Sequence, residues 1–197
     1  MIKEKVDFFN LSTLILQVHV RCVFLCHNIR MNINLLSNTY RIKKLNNDDC
    51  DDILGLYNSN PQYFIYCPPV PTIETIKKDL IITPNNIDIS NKYFLGFYDK
   101  DELFGIIDLI TNYPNDETCF IGLFMINGKY QNKGIGSYLI KDICDYIKSI
   151  GYKYIKLAYI VENEEAKNFW LKNGFVEFQK SKDTINNKDV IMCIKEL

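Results

Sequence analysis

The stretch that decides the fold reads TCFIGLFMINGKYQNKGIGSYLIKDICDYIKSI, residues 118–150. It opens as an apolar run of strand character and passes through a short turn carrying Gly134 and Gly136. It then sets Ile135, Tyr138, Leu139, Ile143, Tyr146, Ile147 and Ile150 at helical spacing on one face. A strand that empties through such a turn into a helix makes an anion site. The glycines remove side chains that would hold a ligand off the backbone, the first-turn N–H groups have no intrahelical partners, and the helix dipole adds positive potential. Phosphate or pyrophosphate is the natural occupant.

What the turn lacks narrows the ligand. No Gly-Lys-Ser/Thr ending is present, so a nucleoside-triphosphate loop does not fit, and Leu139 stands where a dinucleotide fingerprint needs its third glycine. A glycine-bearing turn with no ligand is the reading that the turn alone leaves open. The remaining pattern, Gln131-x-x-Gly134-x-Gly136 after a strand, resembles the acyl-coenzyme A signature of the GNAT acetyltransferases. A second match follows the next strand-like run, residues 152–160. Asn163, Ala166, Phe169, Trp170, Gly174 and Phe175 fall on the family's Asn-x-x-Ala-x-x-aromatic-aromatic-x-x-x-Gly-Phe pattern. Read for packing alone, this piece is a capped amphipathic helix with Ala166, Phe169 and Trp170 as core. Packing leaves the order of the two motifs unexplained.

Composition suits one domain with a sizeable core: 197 residues, 47% hydrophobic and 13% aromatic. Lys and Arg number 23 against 24 for Asp and Glu, and no basic face is evident, so electrostatics give no support for nucleic-acid binding. Cys22, Cys26, Cys50, Cys67, Cys119, Cys144 and Cys193 are scattered without paired metal spacing, which points to reduced thiols and a cytoplasmic setting. His19, Cys22, Cys26 and His27 lie close together but match no zinc pattern. These are also the only histidines, so a Ser-His or Cys-His hydrolase has little to build on.

Residues 1–38 do not look like the rest. Lys3 and Lys5 precede an apolar run over 11–16, but Gln17, His19 and Arg21 interrupt it and no small-residue cleavage site follows. The run is too short and polar to span a membrane, and no membrane partner is expected. Met31 leads directly into the domain, so an upstream start codon or an appended segment is expected; an extra strand or helix packed on a neighbour is the alternative. We therefore divide the chain into an N-terminal extension, 1–38, and one domain, 39–197.

From Tyr40 the order is legible. Residues 40–45 read as a strand. Asn47 and Asp48 offer N-caps for a helix through Tyr57, which the Asn58-Ser59-Asn60-Pro61 turn stops. Pro68, Pro69 and Pro71 fix an extended loop, and Thr72 caps a short helix over 73–81. A hairpin follows, 92–98 and 103–111, joined by Asp99, Lys100, Asp101 and Glu102. The chain closes with a hairpin, 175–179 and 190–195, around Asn186 and Asn187. The whole predicts an α/β protein with a mixed, mostly antiparallel central sheet and flanking helices. That is also the fold the resemblance implies, and the resemblance covers the chain from about Tyr40 to its end. Tyr63, Phe64, Pro68, Pro69, Asp108, Tyr113, Pro114, Ile121, Gly122 and Leu123 further resemble an uncharacterised subgroup of GNAT proteins.

The resemblance implies the chemistry. The central strand splays from its neighbour after a bulge, and the pantetheine arm of acetyl-CoA, the acyl donor, lies in the gap along Phe124, Met125 and Ile126. The pyrophosphate then falls on Gln131, Asn132, Lys133, Gly134, Ile135, Gly136 and Ser137, with Asn163, Ala166 and Phe169 beside the cofactor. Met125 is assigned the N–H that meets the thioester oxygen. Trp170 stands where many relatives carry the tyrosine proposed to protonate the leaving thiolate, and an indole N–H is no usable acid. Tyr159 or Tyr130 is the substitute, and packing is the alternative role of each. For the base, Asp108 stands first: a carboxylate on an apolar strand needs a partner or a raised pKa, unless it faces solvent on alternate pleat positions. Glu117 and Glu162 are further candidates.

These expectations add up to direct transfer of an acetyl group to a primary amine of a small molecule, by a monomer or homodimer and with no metal. The acceptor lies over Tyr63, Tyr66, the proline loop and Asp108. A protein N-terminus or lysine is the competing acceptor, and a non-catalytic acyl-CoA sensor the competing class.

Overall fold

Chain order sets the architecture of the computed structural model, which describes residues 31–183 and 187–197. Strand β1 (Arg41–Lys44) is followed by helices α1 (Cys50–Asn58), α2 (Pro61–Tyr66) and α3 (Ile73–Asp79). Strands β2 (Lys92–Asp99), β3 (Glu102–Ile110) and β4 (Thr118–Ile126) come next, then α4 (Ile135–Ser149), β5 (Tyr154–Ile160), α5 (Glu164–Lys172), β6 (Val176–Lys182) and β7 (Asp189–Glu196). The seven strands form one sheet in the order β1-β2-β3-β4-β5-β7-β6. Every neighbouring pair is antiparallel except β4 and β5, which run parallel. The mixed, mostly antiparallel sheet expected from the sequence is what forms.

The chain divides into two units, Met1–Met31 and Asn32–Leu197, and all of these elements belong to the second. The His19, Cys22, Cys26 and His27 cluster and the Asn186 turn position lie outside the described residues. Residues 32–38, grouped with the extension on sequence, pack on α4: the Asn32 N–H donates to the Tyr146 hydroxyl at 2.8 Å, and Leu36 is fully buried. Among the described residues, no helix is long and apolar enough to cross a membrane.

Local chemistry explains the boundaries. Asn46 caps the turn that leads into α1: its side chain accepts from the Asp48 N–H at 2.7 Å, and the Asp49 carboxylate accepts from the Asn46 N–H at 2.9 Å. This reciprocal cap displaces Asn47 and Asp48 from the capping role expected of them. Thr72 caps α3 as expected, in the same reciprocal manner with Thr75. Helix α2 was not expected. Pro61 ends one turn and opens the next helix, because a proline at the first helical position gives up only an N–H that has no partner there anyway.

Helices cover both faces of the sheet. On one face Ile53, Leu56 and Tyr57 of α1 and Ile76 and Leu80 from α3 and its end form a core with Phe94, Ile106 and Met125 from three adjacent strands. On the other, Phe124 stacks on Phe169 of α5 and lies beside Gly136 of α4. Helix α4 buries Leu139, Ile140, Ile143, Cys144, Tyr146 and Ile147. Its buried stripe is therefore rotated from the one read off the sequence. Ile140 and Cys144 face inward, while Tyr138 is 42% exposed and exchanges a hydrogen bond with the Thr39 hydroxyl at 2.9 Å.

That rotation predicts a contrast. Leu139→Ala, at a fully buried position, should lower unfolding free energy by about 2–5 kcal/mol, whereas Tyr138→Ala should cost only about 0.5 kcal/mol. Urea denaturation of both variants checks the assignment.

Candidate active site

The site begins where pairing stops. Strands β4 and β5 are in parallel register from Thr118 with Tyr154 to Ile121 with Leu157 and no further. Beyond that point β4 continues against β3 as far as Ile126 with Gly105, and β5 continues against β7 as far as Ile160 with Val190. A bulge lies at the branch: Asp108 faces Leu123 and Leu109 faces Ile121, so Gly122 is the extra residue. The two strands diverge from there as a wedge.

Ladder alternation fixes which backbone groups line the wedge. The Asn127 N–H donates to the Phe104 carbonyl at 2.8 Å, which makes that pair hydrogen-bonded. Bonded and non-bonded pairs alternate in an antiparallel ladder, so Met125 with Ile106 is bonded and Phe124 with Ile107 is not. The N–H and C=O of Phe124 and Ile126 therefore point away from β3, into the wedge. Gln131 agrees with this, its Nε2 donating to the Ile126 carbonyl at 2.9 Å. Met125 is corrected on the same ground: its amide belongs to the β3 ladder, and Phe124 and Ile126 are the residues that offer backbone to a ligand.

The turn after β4 is shaped as an anion cradle. Gly134, at the N-cap of α4, has φ of 79°, and no side chain caps the helix. That left-handed conformation favours glycine and leaves the first-turn N–H groups of Ile135, Gly136 and Ser137 to other acceptors. Asn132 also takes positive φ, and Lys133 folds back on the turn, its Nζ donating to the Lys129 carbonyl at 2.7 Å. Gln131 is a structural pin rather than a loop contact, since its amide also donates to Asn60 Oδ1 at 2.7 Å. Gly136 has a packing reason of its own: a Cβ there would lie 3.2 Å from the Phe169 ring.

The second motif closes the same side. Phe169 stacks on Phe124 with centroids 5.8 Å apart, Trp170 packs edge-on against Phe169 and Phe175, and Trp170 is buried. Asn163 caps α5, its Oδ1 accepting from the Ala166 N–H at 2.9 Å. Wedge, uncapped glycine turn and aromatic floor together fit a long ligand with an anionic middle, and nothing in the donor set opposes an acyl-CoA.

On the opposite face stands Asp108. Both of its oxygens lie 2.7 Å from Lys92 Nζ, and Lys92 is only 1% exposed. Asp108 thus neither faces open solvent nor stands alone. Burial pushes its carboxyl above the ordinary carboxylate range, and Lys92 opposes that shift. Asp79 of α3 is near enough to add to the upward push on Asp108, and accepts from the Tyr57 hydroxyl at 3.2 Å. Burial also raises Asp79, and it raises Tyr57 strongly. The carboxylate sits at the head of the wedge, since a Cβ on Gly122 would lie 3.0 Å from Asp108 Oδ2. Tyr63 and Phe64 of α2 pack on the same core, and Lys188 ties the end of α2 to the last hairpin by donating to the Tyr66 carbonyl at 2.7 Å.

The other candidates are not brought to this point. The Tyr159 hydroxyl bonds Glu177, and burial together with that carboxylate raises its pKa. Leu157 shares a face with Ile121 and Leu109, and Tyr159, two residues on, lies on that same face of β5, away from Asp108. Tyr130 stacks on Phe104, and its hydroxyl lies 3.3 Å from Glu102 beside the β2–β3 turn. Glu117 pairs with Lys153 at the far end of β4, and Glu162 is exposed. Lys92, the partner of Asp108, is the residue that the sequence did not point to. Among the described residues, no group of three or more His, Cys, Asp or Glu side chains is placed to hold a metal ion.

Comparison with known proteins converges on one family. The Acetyltransferase (GNAT) family model matches residues 54–175. An uncharacterized N-acetyltransferase of Methanocaldococcus jannaschii is 28% identical over 160 residues, 78% of this chain and 68% of that protein. Among solved structures, an acetyltransferase from Thermus thermophilus superposes with a TM-score of 0.66 at 20% identity, covering 81% of this chain and 97% of the other. The Salmonella typhimurium acetyltransferase that modifies the N-terminal serine of ribosomal protein L7/L12 gives 0.65 at 14% identity, covering 82% and 97%.

The cradle carries its own prediction. Gly134→Ala forces an L side chain into the left-handed region and should cost about 1–2 kcal/mol of stability, with space around the new methyl group unobstructed. Denaturation at equilibrium checks it.

Proposed function

This chain belongs to the GNAT acetyltransferase family, and from that premise we propose that it transfers an acetyl group from acetyl-CoA directly to a primary amine of a small molecule, with Asp108 as the base. The observation that carries this reading is the position of the Asp108 carboxylate against Gly122, at the head of the wedge between β4 and β5. Acetyl-CoA supplies the thioester carbonyl as acyl donor.

The residues divide the work. The first-turn amides of Ile135, Gly136 and Ser137 hold the pyrophosphate. The Phe124 and Ile126 backbone groups hold the arm in the wedge and offer a donor to the carbonyl oxygen, a contribution of about 3 kcal/mol where charge builds on that atom. An amine that arrives protonated cannot attack, and Asp108 is the group on the acceptor face placed to take that proton. No tyrosine stands at Trp170 to return a proton to the leaving sulfur. With an ordinary thiol pKa of about 8.5, the sulfur departs as the thiolate.

Two contacts support a small acceptor. Tyr63 of α2 packs on the core that includes Phe94 and Ile106, beside the Asp108 strand, and Lys188 ties the end of α2 to the last hairpin by donating to the Tyr66 carbonyl. A tie between α2 and the last hairpin favours a small amine over a polypeptide.

A free-thiol assay over small amines, peptide N-termini and lysine peptides tests the reading. Asp108→Asn should lower kcat with the best amine by about 10²- to 10⁴-fold while acetyl-CoA affinity holds. Turnover of peptides in preference to every small amine would overturn the acceptor, and an undiminished Asp108→Asn rate would overturn the base.

A further inference from the structure

A lysine buried to 1% exposure is rare without a task, and among the described residues the ion pair of Lys92 is with Asp108. Its ammonium grips both oxygens of Asp108 at 2.7 Å and lies 5.6 Å from the centre of the Phe94 ring. Two further features fix where that carboxylate can be. Gly122 presents no side chain, so Oδ2 seats directly against the bulge; and Phe94, directly opposite Asp108 in the register, walls the β2 side. The carboxylate is held by Lys92 on one side and by the bulge on another, and its side chain keeps 14% exposure.

We propose that Lys92 is a positioning residue for the acceptor chemistry: its ammonium fixes the Asp108 carboxylate against Gly122 and supplies the positive charge that keeps it ionised there. The inference rests on Asp108 being the base. Three other groups line the same core around Asp108: Asp79 of α3, the Tyr57 hydroxyl of α1 that donates to Asp79, and the Tyr63 hydroxyl on α2. Lys92, Asp79 and Asp108 carry a net charge of −1 when all are ionised, which a monocationic ammonium balances. Transfer of its proton to Asp108 leaves a neutral amine, a neutral carboxyl and the Lys92–Asp79 pair of charges, so no net charge is stranded in the core. Lys92 touches neither substrate in this scheme and acts through Asp108.

The test separates charge from position by following kcat against pH with one saturating amine. In Lys92→Met, Asp108 loses its cation, and the acid limb of the profile should move up by about one to three pH units. In Lys92→Arg the charge stays but the longer planar group displaces the carboxylate. The limb should then hold within about half a unit while the plateau falls at least 5-fold. Gly122→Ala, which crowds Oδ2 and leaves Lys92 in place, should behave as Lys92→Arg does. Acetyl-CoA affinity should be unchanged in the two Lys92 variants. If Lys92→Met does not fold, Lys92→Arg and Gly122→Ala decide the matter. A limb that stays put in Lys92→Met, or plateaus at the wild-type level in the other two, overturns the role of Lys92. An Asp108→Asn enzyme of wild-type rate instead overturns the base, and the role of Lys92 with it.

Discussion

The proposed chemistry depends on two strands ceasing to pair. A parallel sheet satisfies backbone groups on both sides of each strand, and polar groups buried without partners are costly. The one-residue bulge at Gly122 ends the β4–β5 ladder after Ile121 and Leu157, and turns the backbone of Phe124 and Ile126 toward the wedge. The same bulge sets Asp108 at the wedge's head, because an extra residue without a side chain makes room for a carboxylate on the acceptor face. In the proposed reaction, donor contacts and acceptor chemistry are thereby arranged by a single irregularity, with helices packed on either face to hold it.

The Lys92–Asp108 pair belongs to that arrangement for reasons that stability does not supply. A buried ion pair gives back in attraction about what its desolvation costs, and an apolar pair of the same volume serves folding as well or better. Its surroundings, Phe94, Ile106 and Met125, are the environment in which an apolar pair is the easier solution. A charged pair kept there is better explained by a task for the charge.

How much of this was legible in the sequence depended on range. The strand, glycine turn and helix of residues 118–150 are local, and their boundaries in the structure fall within a residue or two of the reading. Asp108 was legible as an anomaly, a carboxylate in an apolar strand. Its partner was not. With the β2–β3 turn at residues 99–102 and no irregularity, Asp108 pairs with Tyr93, which puts Lys92 on the other face. The bulge between Phe97 and Tyr98 shifts the register by one, brings Phe94 opposite Asp108 and swings Lys92 to the same side. A bulge of that kind leaves no mark in periodicity. The Tyr138 face and the Met125 amide were misread for related reasons: helix rotation and ladder phase are set by tertiary packing and long-range pairing, which residue spacing does not record.

In the proposed reaction the wedge and the uncapped start of α4 form the acyl-donor site. Calorimetric titration with acetyl-CoA of the wild-type chain and of a Gly134→Asp, Gly136→Asp double variant tests it directly, with circular dichroism to establish that both are folded. Saturable one-to-one binding is expected of the wild type, with affinity lower by about 100-fold or more in the folded variant, whose added carboxylates repel the pyrophosphate from the helix start. Equal affinity in the two proteins, or no binding by the wild type, would contradict it.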